Sequence, residues 1–216
     1  MIIFDFDGTL ADSMEASFRI YNRIAPDFNL APIEVHEIPE LRHLGLRGIM
    51  KKLEVKPRHL PQILSRGRLM LRDQMNDLQP CAGVLEQLGE LRSNSVKFGI
   101  LTSNSVENVE IFLRRHGVRH YFDFISTCTK LRGKSKHLRS IARTYSLQPW
   151  DMIYVGDEVR DVKAAQRAGV RMAGVTWGFN SHQALAALSP EWLLTEPVGL
   201  RELLVAIERP TTRRAG

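Results

Sequence analysis

The sequence predicts an α/β protein: a doubly wound parallel sheet, with helices on both faces and an all-helical domain inserted into it. The sheet is predicted because short apolar runs alternate with helical stretches after Pro80, an order typical of parallel strands. The insertion is predicted because apolar residues between positions 13 and 79 recur at helical spacing, while prolines break this segment into short pieces.

Length and composition allow this architecture. The chain has 216 residues, enough for about one and a half average domains. Its hydrophobic share of 44% and charged share of 25% exclude disordered and fibrous classes. Apolar runs are too short to span a bilayer, and Asp5 and Asp7 stand where a signal peptide needs an apolar segment. We therefore expect a cytoplasmic protein with no membrane partner.

The net charge of +6 raises the question of nucleic-acid binding. Residues 13–79 include eleven basic and eight acidic side chains, and the remainder has nineteen and sixteen, so the positive excess is spread evenly. Aromatic residues, 7% of the chain, form no stacking platform among the basic ones. We therefore expect anionic small molecules rather than nucleic acid as partners.

The first part of the chain supplies one strand and then helices. Residues 1–4 form an apolar run that predicts a buried strand, which leads into the tight loop Asp5-Phe-Asp-Gly-Thr9. Residues 14–25 and 60–78 show helical spacing, and no strand-like alternation lies between them. We therefore expect an inserted helical domain at residues 13–79.

Strands and helices alternate in the second part of the chain. Strands are predicted at residues 96–101, 122–125, 152–155 and 170–175. Helices are predicted at residues 85–91, 109–117, 138–145 and 159–168, and near residues 184 and 203. Gly117 and Gly169 are suited to end two of them. We assign residues 1–12 and 80–208 to the core domain and residues 209–216 to a flexible basic tail.

Polar residues follow four of the predicted strands at their carboxyl ends. They are Asp5 and Asp7 after the first strand, Thr102, Ser103 and Asn104 after the second, Lys134 shortly after the third, and Asp157 and Asp161 after the fourth. In an open α/β sheet, ligands bind beyond these ends. Clustered carboxylates repel one another unless a cation holds them, and hard oxygen ligands suit Mg²⁺.

Two of these motifs, Asp5-Phe-Asp-Gly-Thr-Leu10 and Gly156-Asp-Glu-Val-Arg-Asp161, resemble those of the haloacid dehalogenase superfamily of phosphohydrolases. The resemblance covers nearly the whole chain, with four motifs in order and the helical insertion where the family's type 1 caps lie. It is closest to the phosphoglycolate phosphatase-like branch. It implies a Rossmann-like core, a helical cap and Mg²⁺-dependent hydrolysis of a small phosphomonoester.

The resemblance also implies roles for single residues. Asp5 would be the nucleophile that forms an aspartyl-phosphate, and Asp7 would protonate the leaving oxygen and then deprotonate water. Thr102 would hold a phosphoryl oxygen, with Ser103 and Asn104 beside the substrate. Lys134 would neutralise charge on the phosphoryl group and Asp5.

The same resemblance implies the metal ligands. Mg²⁺ would be bound by the Asp5 carboxylate, the Asp7 main-chain carbonyl and Asp157, with Asp161 as a further ligand or as the group that orients them. Taken singly, each aspartate could instead be a helix cap. Lys130 competes with Lys134, which is preferred because it directly precedes a helical pattern.

The cap would supply specificity. Arg47, within Leu44-Gly-Leu-Arg-Gly48, is the first candidate for holding a remote anionic group of the substrate, although a solvated arginine explains this position equally well. Arg42, Lys51 and Lys52 are further candidates.

Four functions other than phosphate hydrolysis are possible for a chain with these motifs. A phosphomutase similar to β-phosphoglucomutase needs the same motifs, and a phosphonatase would need a cap lysine as well. Dehalogenation uses no metal and is disfavoured because Asp7 and Asp157 are both present. A non-catalytic binding protein would not require the nucleophile and the acid together.

Overall fold

A computed structural model describes residues 1–94, 96–128 and 133–208. Six parallel strands form one sheet in the order β3-β2-β1-β4-β5-β6. The strands are β1 (Ile2–Phe4), β2 (Phe98–Thr102), β3 (Phe122–Thr127), β4 (Ile153–Gly156), β5 (Arg171–Val175) and β6 (Trp192–Leu194). The strand order reverses at β1, and the crevice at such a point is where α/β sheets bind ligands.

Ten α-helices accompany the sheet in the described part of the chain. They are α1 (Met14–Ile24), α2 (Ile38–Arg42), α3 (Leu46–Lys52), α4 (Leu60–Arg72), α5 (Val84–Ser93), α6 (Val106–Arg115), α7 (Lys134–Thr144), α8 (Val159–Ala168), α9 (His182–Ala186) and α10 (Glu202–Glu208).

Helices cover both faces of the sheet. Along β1 the side chains alternate, so Ile2 and Phe4 pack into one core, while Ile3 packs into the other. The first core contains side chains of α5 and α6, and the second contains those of α7 and α8. This arrangement buries both faces of β1 completely and confirms the predicted doubly wound sheet.

The inserted segment contains α1 to α4, and no strand is assigned among residues 14–72, all of which are described. Its two connections to the core run side by side: the Asp12 amide donates to the Gln79 carbonyl at 2.9 Å, and the Cys81 amide donates to the Leu10 carbonyl at 2.9 Å. This pairing supports domain boundaries at residues 13 and 79, which stay a prediction. We call the helical segment the cap.

The structure also corrects details of the prediction. The sequence did not indicate β6, because three residues at the sheet edge are too few to show an alternating pattern. The helix predicted at residues 60–78 is α4, and it ends at Arg72 rather than near residue 78. Gly117 and Gly169 do follow helix ends, with φ of +70° and +75°. Lys130 and residues 209–216 lie outside the described residues.

None of the described helices combines the length and the apolar character that a bilayer crossing requires.

Candidate active site

The loop after β1 places Asp5 at the centre of the sheet edge. The Asp5 amide still donates to the Val155 carbonyl of β4 at 2.8 Å, so the residue is held at the strand end. Its carboxylate accepts a hydrogen bond from the Phe6 amide at 2.8 Å and is almost fully buried. Gly8 turns the chain with φ of +74°, and a Cβ there would collide with the Asp157 carboxylate.

Lys134, the first residue of α7, lies against the Asp5 carboxylate. Its Nζ is 2.6 Å from Asp5 Oδ2, 2.6 Å from Asp161 Oδ1 and 2.8 Å from the Tyr154 hydroxyl oxygen. Burial lowers the pKa of Lys134, but the charges of Asp161 and Asp5 raise it more, so its net pKa is above the ordinary value. Lys134 is therefore a buried, charged ammonium whose three donors all have acceptors.

The Asp7 carboxylate is held by the side chains of two asparagines, Asn104 just after β2 and Asn108 on α6. Its carboxylate accepts from Asn104 Nδ2 at 3.0 Å and 3.3 Å, and Asn104 Oδ1 in turn accepts from Asn108 Nδ2 at 2.8 Å. The Asn104 amide donates to the Thr102 hydroxyl at 3.0 Å. Burial raises the pKa of Asp7, although the hydrogen bond from Asn104 opposes the rise.

Asp157 lies below Gly8 at the end of β4 and is fully buried. One of its oxygens accepts from the Thr9 hydroxyl at 2.8 Å, and the other accepts from the Phe179 amide at 2.7 Å. Among the described residues it forms no ion pair, whereas Asp161 is paired with Lys134. Burial first, and then the neighbouring carboxylates, raise the pKa of Asp157 well above its ordinary value.

The acidic residues fit a divalent cation. Carboxylate oxygens of Asp5, Glu158 and Asp161 lie within 4.8 Å of one another. Asp7 and Asp157 are near enough that, after burial, the charge of Glu158 also raises the pKa of each. The basic side chains paired with this group are Lys134 and Arg160. Carboxylates therefore outnumber cations, and burial raises the pKa of Asp5 to about 7 although Lys134 lowers it. A hard cation with oxygen ligands would relieve this repulsion.

Two cavities meet at this site, and residues of the cap line part of each. The first, about 410 Å³, is lined by Ser103 and Lys134 from the core and by Arg47 from the cap. The second, about 300 Å³, lies between Asp7 and the apolar interior of the cap. Arg160 lines both cavities. The structure thus brings Asp5, Asp7, Lys134, Asp157 and Asp161 together and places Ser103, Asn104 and Arg47 at the cavity walls.

Arg42 and Lys52, two of the further candidates for binding an anionic group of the substrate, make contacts within the protein. Arg42 Nη2 donates to the carbonyls of Thr176 and Gly178, each at 3.0 Å, so this arginine ties the cap to the core. Lys52 pairs with Glu40 on the cap surface. Asn180 strengthens the tie, since its Nδ2 donates to the Arg42 and Leu44 carbonyls at 3.0 Å and 2.9 Å.

Sequence reasoning missed several residues of the site. Arg160 and Glu158 lie within the motif that identified Asp157 and Asp161. Their location in this motif was the only feature of the sequence that could have marked them as site residues. Tyr154 gave a different signal, a hydroxyl group in the middle of a buried apolar strand, where it must find a partner.

Sequence comparison identifies the family of the chain. The model of the haloacid dehalogenase-like hydrolase family matches residues 2–175, and the chain therefore belongs to this family. Phosphoglycolate phosphatase of Synechococcus elongatus is 40% identical over 208 residues, which cover 96% of this chain and 98% of that protein. Pyrophosphatase PpaX of Bacillus velezensis is 25% identical, with 89% of this chain and 90% of that protein covered.

Solved structures show the same fold. A haloacid dehalogenase-like hydrolase from Streptococcus pneumoniae superimposes with a TM-score of 0.77 at 20% identity, covering 94% of this chain and 97% of that chain. The match includes the cap segment as well as the sheet. The predicted fold and the predicted phosphatase class are both confirmed by these comparisons.

Proposed function

We propose that this protein is a Mg²⁺-dependent phosphatase for a small phosphomonoester, with phosphoglycolate as the first candidate substrate. The observation that carries the proposal is the buried Asp5 carboxylate at the end of the central strand, held by Lys134, with Asp7 two residues further on. The candidate substrate comes from the name of the Synechococcus elongatus relative. We place the reaction in the cytoplasm.

In the first half of the reaction, an Asp5 carboxylate oxygen attacks phosphorus and the bond from phosphorus to the leaving oxygen breaks. Asp7 gives its proton to that oxygen, a role supported by its raised pKa and its fixed contact with Asn104. Lys134 offsets charge on the phosphoryl group and on Asp5. Thr102 and Ser103, at the end of β2, are proposed to bind phosphoryl oxygens.

In the second half, Asp7, now ionised, takes a proton from a water molecule. The water oxygen attacks phosphorus, the bond to Asp5 breaks, and inorganic phosphate leaves. Asp5 returns as a carboxylate beside Lys134, and Asp7 returns protonated. One residue therefore serves as acid and base in turn, which requires a carboxyl group whose pKa is not far below neutrality.

The proposed ligands of Mg²⁺ are the Asp5 carboxylate, the Asp7 carbonyl and Asp157. The ion would supply positive charge that orients and activates the phosphoryl group. Asp157 suits this role because its charge has no basic partner among the described residues. Asp161 is proposed to orient Lys134, since one of its oxygens accepts from that ammonium and the other lies 3.2 Å from the Glu158 amide nitrogen.

Arg47 is proposed to contact the substrate from the cap. Its side chain is exposed and lines the first cavity together with Ser103 and Lys134, so it lies on the phosphoryl side of the site. A phosphomutase with the same core remains the second candidate function, because these residues also form an aspartyl-phosphate in that reaction. The two differ in whether the phosphoryl group passes to water.

Purified protein is expected to release inorganic phosphate from phosphoglycolate in the presence of Mg²⁺ and to lose this activity in EDTA. The carboxylates near Asp5 outnumber the basic side chains of the site. Without the cation, the site therefore has too little positive charge to orient and activate the phosphoryl group. The measurement is phosphate release over a panel of small phosphomonoesters, with and without chelator.

Restoration by added Mg²⁺ is the control for irreversible damage by the chelator. Full turnover in EDTA would contradict the metal requirement. For the phosphomutase alternative, the panel includes a sugar phosphate with its bisphosphate as activator. An isomerised sugar phosphate without phosphate release would favour the mutase.

Asp157→Asn is expected to raise the Mg²⁺ concentration for half-maximal activity by more than about tenfold. Glu158→Gln should raise it less, because the charge of Glu158 is already balanced by Arg160. Titration of activity with Mg²⁺ for both variants measures the difference. A larger effect at Glu158 than at Asp157 would assign the metal to the group formed by Asp5, Glu158 and Asp161 instead.

A further inference from the structure

Arg160 occupies a central place between the two cavities. It lies in the first turn of α8 and lines the cavity that contains Lys134 as well as the cavity that contains Asp7. Its Nη2 donates to the Ser103 hydroxyl at 3.3 Å and pairs with Glu158. Its Nε is buried and has no hydrogen-bond partner among the described residues. The Arg160 side chain is 26% exposed, so its guanidinium is only partly buried and can be reached from the cavities. With one donor unused among the described residues, it is poised to bind a further acceptor.

The cavity beside Asp7 is where the leaving group must lie, because Asp7 protonates the leaving oxygen. Among its described lining residues, the charged ones are Asp7, Glu158, Arg68 and Arg160, and most of the others are apolar side chains of the cap. An apolar wall offers no hydrogen bond to an anionic group. The neutral polar residues among the described lining are Ser17, Tyr21, Ser103 and Asn104. An anionic group on the leaving side therefore finds positive charge, within the described lining, at the two arginines.

We propose that Arg160 is a specificity-determining residue, whose guanidinium binds a carboxylate carried by the leaving group. The proposal rests on the proposed phosphatase function and deepens it, since it selects phosphomonoesters with a second anionic group close to phosphorus. Arg68, which projects from α4 into the same cavity and makes no side-chain hydrogen bond or ion pair among the described residues, is the second cation available to that group.

This assignment differs from the one that the sequence suggested. Arg47 lines only the cavity of Ser103 and Lys134, and its side chain is exposed. Arg160 is held between Ser103 and Glu158 and reaches the cavity of Asp7. A guanidinium fixed in this way loses little freedom when it binds a carboxylate, which strengthens the interaction.

The test compares two substrates that differ in the anionic group alone. Phosphoglycolate carries a carboxylate, and 2-hydroxyethyl phosphate carries a neutral hydroxyl group in its place. Arg160→Gln is expected to lower kcat/KM for phosphoglycolate by about 10–100-fold, as expected for a charge-assisted hydrogen bond. The loss for 2-hydroxyethyl phosphate should be less than about threefold, since this substrate makes no such bond. Arg160→Lys should restore part of the loss, because it keeps the charge.

Three further measurements make the result specific. Arg143→Gln removes one charge from an exposed position on α7, outside the lining of both cavities, and should leave the ratio of the two substrates unchanged. Inhibition by inorganic phosphate should weaken by less than about threefold in Arg160→Gln, because phosphate has no leaving group and the contact of Arg160 with the Ser103 hydroxyl is long, at 3.3 Å. Arg47→Gln should change the substrate ratio less than Arg160→Gln does.

Binding separates this proposal from the proposed function. In Asp5→Asn protein, calorimetry should show weaker binding of phosphoglycolate when Arg160→Gln is added. If the unmodified protein binds phosphoglycolate through Arg160 but never releases phosphate, the phosphatase function fails while the role of Arg160 stands. Equal losses for both substrates, equal weakening of phosphate inhibition, or a selective effect at Arg47 alone would overturn the role of Arg160.

Discussion

Replacing Asp5 with asparagine is expected to abolish phosphate release, with a loss of more than about 10⁴-fold, as is usual for removal of a nucleophile. Asparagine keeps the shape of the side chain and can still accept the hydrogen bond from the Phe6 amide. It cannot form an acyl phosphate under these conditions, because an amide oxygen is a poor nucleophile. Phosphate release by the Asp5→Asn protein and the unmodified protein gives the comparison.

The same variant also tests the electrostatics of the site. Burial raises the pKa of Asp5 to about 7, above its ordinary value of 3.8. Between these two values the unfolded chain loses the proton and the folded protein keeps it, so Asp5 lowers the free energy of unfolding as the pH rises towards 7. Above pH 7 this cost is complete. Metal-free Asp5→Asn protein should therefore melt at a higher temperature than the unmodified protein at pH 8.

At pH 4 the difference in melting temperature should shrink, because Asp5 is then largely protonated in the folded protein. Mg²⁺ should stabilise the unmodified protein more than the variant, since the variant has lost one proposed ligand. A near-normal rate of phosphate release in Asp5→Asn would show that another residue attacks phosphorus. A lower melting temperature at pH 8 in EDTA would show that the contact with Lys134 outweighs the cost of burying Asp5.

The sequence was sufficient for the sheet and for the residues at its edge. Apolar runs predicted five of the six strands, and the polar residues that follow them lie together, because parallel strands end at one edge. It was not sufficient for β6, which is too short to show a pattern. The contacts of Tyr154 and Asn180 could not be predicted either, because their partners are far away along the chain.

In the cap, the contacts of individual side chains were even harder to predict from the sequence. Spacing alone identified its helices, but several of its basic residues looked alike in the sequence. Only the packing of the cap on the core distinguishes Arg42, which binds core carbonyls, from Arg47 and Arg68, which line cavities. Specificity depends on such tertiary placement, whereas the chemistry of the core depends on local motifs at strand ends.

Lys134→Met is expected to impair both catalysis and stability. Phosphate release should fall by about 10²–10³-fold, because the positive charge opposite the phosphoryl group is lost. Without Lys134, the carboxylates of Asp5 and Asp161 stay buried with no ammonium between them. Breaking a buried ion pair in this way costs about 3–5 kcal/mol, so the free energy of unfolding of the metal-free protein should fall by that amount. Urea denaturation in EDTA measures it.

A double variant separates the two effects. Adding Asp161→Asn to Lys134→Met removes one of the stranded charges and should recover part of the lost stability, since these two residues are in direct contact at 2.6 Å. Activity should not recover, because Asp161→Asn does not replace the ammonium. Lys136→Met, at an exposed position on the same helix, is the matched control and should change neither quantity. If the losses of stability from the two single variants simply add, Lys134 and Asp161 are not coupled. Asp161 would then have no role in positioning Lys134, even if phosphate release still depended on the lysine.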